Sequence, residues 1–404
     1  MRILFVAPRL PHRRVMSGHQ IVYQRMRRLM ARGHKIGLAC FSRPGEESLA
    51  AEWAGELLSL ETVPEPDVKG FQGFPGARTA RLKPHSAELL RRVGDMVERD
   101  RYHIAIAEFT EMGPYLCRNP FLPAVRRVIS VHQCFTVAAQ KQVELKGWTF
   151  AGLRARIQRD RLRQSEFALY READRILALT PQEQFAMQQQ APDLRTALSP
   201  AGVDTRFFGP SPGLPMPGGL IFTGYFNHEP NRDAVRWFVS RVWPAVRARY
   251  PELFFYVVGP NPPPDILNLS WKDPTIVVTG EVEDVRPYLH QASVFICPIR
   301  MGSGMRIKIL EAMASELPVV STSLGAEGLP LQQGVNGFVA DHPRIMAEQI
   351  QQLLSDAPLR KSMGNRARTT VRAHYSWDQS VRGLERLFQE LTERPARPPA
   401  ESAK

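Results

Sequence analysis

Residues 297–321 read CPIRMGSGMRIKILEAMASELPVVS, and the folding of this stretch decides how the rest of the chain is arranged. The apolar run Val294 to Pro298 reads as a buried strand that ends in the turn Gly302-Ser303-Gly304, and a helix pattern follows at once. Ile307, Leu310 and Ala314 recur at helical spacing and predict a stripe facing a core. Gly304, Lys308 and Glu311 line up on another face, because offsets of three, four and seven residues bring side chains together on a helix. A helix opening with a lysine one turn in and a carboxylate two turns in suits a diphosphate followed by a ribose. Amides and lysine meet the negative charge, and the carboxylate accepts from sugar hydroxyls. The same spacing also describes a plain turn and a charged surface helix, and spacing alone leaves both open.

Working outward, Pro318 to Ser321 reads as the next strand, while Leu220 to Thr223, Leu253 to Val258 and Thr275 to Val278 read as strands upstream. Helices are predicted over 231–248 and 284–291. Before them lies GPSPGLPMPGG, residues 209–219, whose four prolines and four glycines rule out a helix or central strand. The same alternation fills the first half. Arg2 to Pro8 is a strand, Arg9 to Gly18 a loop, His19 to Ala31 a helix, and Lys35 to Phe41 a strand. Further strands follow at His103 to Ala107, Val128 to Val131 and Arg175 to Leu179. This pattern predicts an α/β protein of two Rossmann-like domains whose strand ends face a central cleft. The expected divisions are a first domain over 1–208, the linker 209–219 and a second domain over 220–375. A helix over 376–392 and a disordered tail over 393–404 complete the chain.

The length of 404 residues fits two domains, and 43% hydrophobic with 23% charged residues is ordinary for a globular chain. The start, MRILFVAPRL, is too short for a signal-peptide core, and no run approaches a membrane span, so a cytoplasmic location is expected. Four cysteines without metal-ligand spacing predict neither structural zinc nor a disulfide framework. The net charge of +13 is uneven: residues 1–200 hold 31 Lys and Arg against 20 Asp and Glu. That bias fits an anionic partner for the first half (nucleic acid, an anionic membrane face or a phosphorylated acceptor) and equally a solubility charge with no specific partner. Arg25, Arg28 and Arg32 share a helix face, and RARIQRDRLR, residues 154–163, interleaves arginines with Leu153, Ile157 and Leu162. Each reads as a face for acidic headgroups or as a solvated helix face. His132 and Glu108 follow strands and so fall in the cleft region, where each reads as a site residue or as a side chain satisfied by neighbouring backbone. Gly18 opens a helix there, as a close-approach position or a plain turn, and Glu61 to His85 reads as a flexible loop over the site.

Several stretches together resemble the retaining, nucleotide-sugar-dependent glycosyltransferases of the GT-B fold, in glycosyltransferase family four. GSGMRIKILEAMA with PVVST is similar to the donor-site signature. Pro200-Ala201-Gly202-Val203-Asp204 is similar to the turn at the domain junction, and Gly224 to Phe238 to the segment carrying Pro-Asn and Trp-Phe. Gly280 to Val285 is similar to the nucleobase loop. Gly325 to Gly328 and Asn336 to Phe338 match later turns. The resemblance implies that Glu311 binds the donor ribose, that Gly304 and Met305 offer amides to the diphosphate, and that Lys308 or Arg306 neutralises it. Asn231 and Val282 fall in donor-binding segments, Gly18 near the diphosphate, and His132 facing the transferred sugar. His132, Lys308 and Arg306 are thereby implied in catalysis.

Two positions depart from the family pattern. Ser303 stands where many members have a further glutamate, and YFNHEPNRD carries only Arg232 where many have an Arg-Lys pair. The positive charge then falls to Arg306, Lys308 or Arg300. The implied partners are a nucleoside-diphosphate-sugar donor and a sugar, glycolipid or lipid-linked acceptor in surface polysaccharide or glycolipid assembly. An anionic membrane surface under the basic first half makes the enzyme peripheral on the inner face of the cell membrane. No cofactor, metal or nucleic acid is implied. An epimerase or phosphorylase-like enzyme, or a silent sugar-nucleotide-binding protein, would share the architecture. No G-x-G-x-x-G follows the first strand, which argues against a nicotinamide dehydrogenase.

Overall fold

The computed structural model describes residues 1–12, 18–66, 82–146, 149–210, 218–302 and 304–393. The chain divides into two compact units: residues up to Pro200 joined by those from Ser380 onward, and Ala201–Gln379.

The first unit is built on seven parallel strands: β1 (Arg2–Ala7), β2 (Lys35–Ser42), β3 (Ser59–Pro64), β4 (Ile104–Glu108), β5 (Arg126–Val131), β6 (Arg175–Ala178) and β7 (Thr196–Leu198). They lie in the order β3-β2-β1-β4-β5-β6-β7. Ile3 through Ala7 are wholly buried, because helices cover both faces of a parallel sheet and leave a continuous apolar run. The order reverses between β1 and β4, and ligands of open α/β sheets bind beyond the carboxyl ends of the strands at such a point.

The second unit repeats the plan with six parallel strands: β8 (Leu220–Thr223), β9 (Phe255–Val258), β10 (Ile276–Gly280), β11 (Val294–Cys297), β12 (Val319–Ser321) and β13 (Gly337–Val339). Their order is β10-β9-β8-β11-β12-β13, so the reversal falls between β8 and β11. Its core runs from Phe222 and Phe255 through Phe295 to Met346 and Ile350.

Several expectations need correction. The first unit ends at Pro200, not at 208, because Val203 belongs to the second unit's core and its amide donates to Tyr375 O at 2.8 Å. The second unit accordingly starts at Ala201 and not at 220. The predicted helix 231–248 is two helices, Glu229–Arg241 and Trp243–Arg249, with Pro244 in the first turn of the second. Proline lacks an amide hydrogen and so is tolerated where a helix starts, not inside one. Glu61 to Pro64, expected in a loop, belongs to β3. Much of that loop (67–81), most of the linker (211–217) and the tail from 394 lie outside the described residues.

The last helix, Trp377–Thr392, places Val381, Leu384, Phe388 and Leu391 in the first unit's core. Spacings of three and four put all four on one face, and burying each contributes about 1.5–3 kcal/mol. Within the first unit Ser380 Oγ donates to Pro200 O at 2.5 Å, and within the second a Cβ on Gly202 would lie 2.6 Å from Trp377 Cα.

Candidate functional site

In the second unit, β8 and β9 are followed at once by glycines and β10 ends on one: Gly224, Gly259 and Gly280. Gly259 has φ +144°, and a Cβ there would fall 1.9 Å from Gly224 O. A Cβ on Gly224 would in turn lie 2.9 Å from Asn231 Cγ and 3.1 Å from Lys308 Nζ. The absence of side chains at these strand ends is what lets Asn231 and Lys308 reach the backbone of the switch point. Asn231 donates to Tyr225 O and accepts from Lys308 Nζ, both at 2.8 Å. The Lys308 ammonium also stands 4.3 Å from the centre of the Phe222 ring, a cation–π contact.

The stretch leading to Lys308 turns through two left-handed glycines, Gly302 at φ +90° and Gly304 at φ +96°. Arg306 caps the helix Ile307–Ala314 and donates back to Gly304 O. Gly304 and Met305 therefore precede the helix and do not form its first turn. The amide of Ile307 is taken by Met305 O at 3.2 Å. The core face also differs from the predicted stripe. Leu310 and Ala314 are wholly buried with Ile309, Ala312 and Met313, whereas Ile307 is half-buried. A helix enclosed on most of its sides shows no clean 3.6-residue stripe.

Burial sets the electrostatics here. It pushes the Lys308 ammonium down to about 8, with the neighbouring Arg306 acting the same way and Glu311 opposing. It pushes the Glu311 carboxyl up to about 7, only partly offset by Lys308. Arg306 is likewise lowered by burial, against the attraction of Cys297 and Glu327. Lys308 and Glu311 both keep a partial path to solvent. Lys308, Asn231 and Arg306 thus concentrate donors and positive charge beside the reversal, with Glu311 one turn further along the helix.

Arg300 does not join them. It forms an ion pair with Asp233 at 2.7 Å and lies 5.2 Å over the Trp237 ring, so its charge is already matched. Val282 is half-buried against the core. Ser303 lies outside the described residues.

In the first unit, Gly18 opens the helix Gly18–Ala31. A Cβ there would lie 2.6 Å from His132 Nδ1 and 2.8 Å from the Phe109 ring. The His132 ring stacks on Phe109 at 3.9 Å and 18°. His132 Nε2 meets Glu108 Oε2 at 2.7 Å. Glu108 is the last residue of β4, wholly buried and paired with Arg25 at 3.0 Å. Burial alone would raise the Glu108 carboxyl, but Arg25 and His132 outweigh it and hold the group at about 2. His19, beside Phe109, is driven down to about 4 by burial and then by Arg9 and His132.

Arg25 corrects the sequence reading of a basic helix face. It has no exposed surface and also donates to Ser130 Oγ at 2.7 Å and to Ser199 O at 2.9 Å, while Arg32 pairs with Glu385 at 2.6 Å. The run 154–163 is split: Leu153 and Ile157 are about half exposed and Leu162 is buried. Among the described residues no group of His, Cys, Asp and Glu is arranged to hold a metal ion, and no helix is long and apolar enough to cross a membrane.

Sequence reasoning put Arg25 on a basic helix face and missed its place in the site, along with Phe109, Phe222 and the shared role of the glycine set. The last had a visible signal, since Thr223-Gly224, Val258-Gly259 and Thr279-Gly280 each end a predicted strand or directly follow one.

Residues 217–356 match the family model for glycosyl transferases group 1. An uncharacterized glycosyltransferase of Methanocaldococcus jannaschii is 27% identical over 28% of this chain and 32% of its own length. The capsular polysaccharide biosynthesis glycosyltransferase CapM of Staphylococcus aureus is 27% identical over 29% of this chain and 31% of its own. The curated relatives are thus matched over about a third of their length. Whole-chain likeness comes from solved structures. The sucrose-phosphate synthase of Thermosynechococcus elongatus aligns with TM-score 0.71 at 18% identity, covering 97% of this chain and all of that one. Anabaena HepE, solved in complex with UDP-glucose, aligns with TM-score 0.68 at 13% identity over 96% of this chain and all of its own. The fold is GT-B, with two parallel-sheet Rossmann-like units.

Proposed function

We propose that the protein is a glycosyltransferase that moves a sugar from a nucleoside-diphosphate donor to a surface-polysaccharide or glycolipid acceptor. The observation that carries this reading is the cluster at the β8–β11 reversal. There Lys308, bonded to Asn231 and flanked by Arg306, holds a cationic donor where the glycines leave the backbone bare. As the glycosidic bond breaks, negative charge grows on the departing diphosphate. A preorganised ammonium and guanidinium in a partly desolvated site strengthen with that charge and lower the barrier. Glu311, one turn beyond Lys308, then accepts from the ribose hydroxyls, Val282 borders the base, and His132 with Gly18 meets the transferred sugar.

By the family resemblance the reaction proceeds with retention and needs no metal, because the chain's own cations neutralise the leaving group. Both relatives and neighbours support the class: CapM is a capsular polysaccharide enzyme, and HepE is solved with UDP-glucose. The reading places the reaction in the cytoplasm at the inner face of the membrane. The exposed Leu153 and Ile157 beside Arg154, Arg161 and Arg163 fit an anionic lipid surface and a lipid-linked acceptor there.

The test is a thermal-shift screen of UDP-, GDP- and ADP-sugars, followed by product analysis with the donor that stabilises. Transfer to an acceptor with the donor's anomeric configuration kept is the expected result. Epimerised donor, free sugar phosphate or binding without turnover would each replace this reading with another.

A further inference from the structure

The Arg25–Glu108–His132 chain of contacts lies wholly inside the first unit, and its geometry leaves one atom unaccounted for. Arg25 donates to both Glu108 oxygens, at 3.0 and 3.1 Å, with neither side chain exposed. A carboxylate held so far toward its ionised form can only accept. The 2.7 Å contact with His132 Nε2 therefore requires the ring hydrogen on Nε2. In the neutral ring that leaves Nδ1 with a lone pair. Nδ1 is buried and has no hydrogen-bond partner among the described residues. A buried polar atom without a partner destabilises the fold, so its persistence calls for a reason.

Two further features keep that atom open and aimed. Position 18 is glycine, and any side chain there would start 2.6 Å from Nδ1 and cover it. Phe109 holds φ +73°, a left-handed backbone conformation that is strained for a bulky residue. In that conformation its ring stacks on the imidazole at 3.9 Å and fixes the plane in which Nδ1 points.

We propose that Glu108 is a positioning residue that, anchored by Arg25, locks His132 in its Nε2–H tautomer and presents Nδ1 as a hydrogen-bond acceptor for a hydroxyl of the donor's sugar. This rests on the glycosyltransferase reading and adds to it a direction: the sugar hydroxyl donates and the protein accepts. It also gives Gly18 a role apart from diphosphate approach, that of leaving Nδ1 uncovered. In Glu108→Gln, Arg25 would claim the amide oxygen and turn the NH₂ toward Nε2, reversing the tautomer.

Histidine ¹⁵N NMR on the full chain, with His132 assigned by its loss in His132→Asn, reads this directly. Without ligand, the wild type should show a protonated-type Nε2 and an unprotonated-type Nδ1, and Glu108→Asp should keep that pattern. Glu108→Gln should invert it and lower kcat at least tenfold while UDP binding stays unchanged. UDP-glucose or GDP-mannose should move the Nδ1 resonance, and UDP or GDP alone should not. Hydrogen on Nδ1 in the unliganded wild type overturns the proposal, even if Glu108→Gln fails to fold. A Glu108→Gln protein that keeps both the wild-type tautomer and the wild-type kcat also overturns it. If no nucleotide sugar binds at all, the functional reading falls, while the unliganded spectrum still decides the tautomer.

Discussion

Glu108 and Glu311 each sit in low-dielectric surroundings near a cation at the switch point of a parallel sheet, yet the fold treats them in opposite ways. Arg25 grips Glu108 with two hydrogen bonds, and the carboxyl is held at about 2. Lys308 gives its hydrogen bond to Asn231 instead, and Glu311 is left near 7 with Lys308 itself near 8. The first unit matches the charge of Glu108 internally before any ligand arrives. In the second unit burial has been imposed on Lys308 and Glu311, which form no ion pair among the described residues. Unpaired buried charge costs stability, and an arriving anion and sugar hydroxyls would recover it.

The largest effect should come from breaking the paired network. Arg25→Met leaves Glu108 buried without its cation and should cost about 3–5 kcal/mol in denaturant unfolding. A loss below about 1 kcal/mol would mean that the first unit is no better compensated than the second. Next, Lys308→Ala should lower kcat/KM for the donor by about 100- to 1000-fold, as removal of a charge-stabilising donor does. In contrast to Arg25→Met, it should leave unfolding stability equal or higher. Measuring both quantities on both variants is the sharpest form of the comparison.

A smaller effect is expected for Glu311→Gln, and its sign depends on pH. The folded-state pKa of Glu311 is raised from 4.5 to about 7, so its cost to the fold is absent at low pH and grows as pH rises through that window. Glu311→Gln should therefore raise the melting temperature at pH 8, by a gain of about 1–3 kcal/mol, and leave it unchanged at pH 4. Lys308 runs the other way. Its pKa falls from 10.5 to about 8, so its cost is full below 8 and fades toward 10.5. The smallest effect is kinetic: kcat/KM for the donor should fall below pH about 7 as Glu311 takes a proton, and above about 8 as Lys308 loses one. A flat profile across that range would show that neither group meets the donor.

The central strands were legible because each is a short apolar run bounded by glycine, proline or polar turns, and β8 was predicted to the residue. The three strands missed, β3, β7 and β13, are all sheet edges. One side of such a strand meets solvent, so no apolar run marks it. The lysine and glutamate of the second unit were legible too, since a turn of helix places Lys308 and Glu311 by local spacing alone. By contrast, the membership of residues 201–208, the burial of Arg25 and the engagement of Arg300 were not.

The amino-acid order by itself determined the two α/β repeats, the left-handed glycines Gly302 and Gly304 and the side chains that helix geometry carries along one face. Those features follow from interactions among residues a few positions apart. Only the folded structure decided that Arg25 would meet Glu108, 83 residues away, and that Lys308 would bond Asn231, 77 residues away, and not Glu311. Such pairings depend on which strands the sheet brings together and on how much water remains there, and neither is recorded in local periodicity.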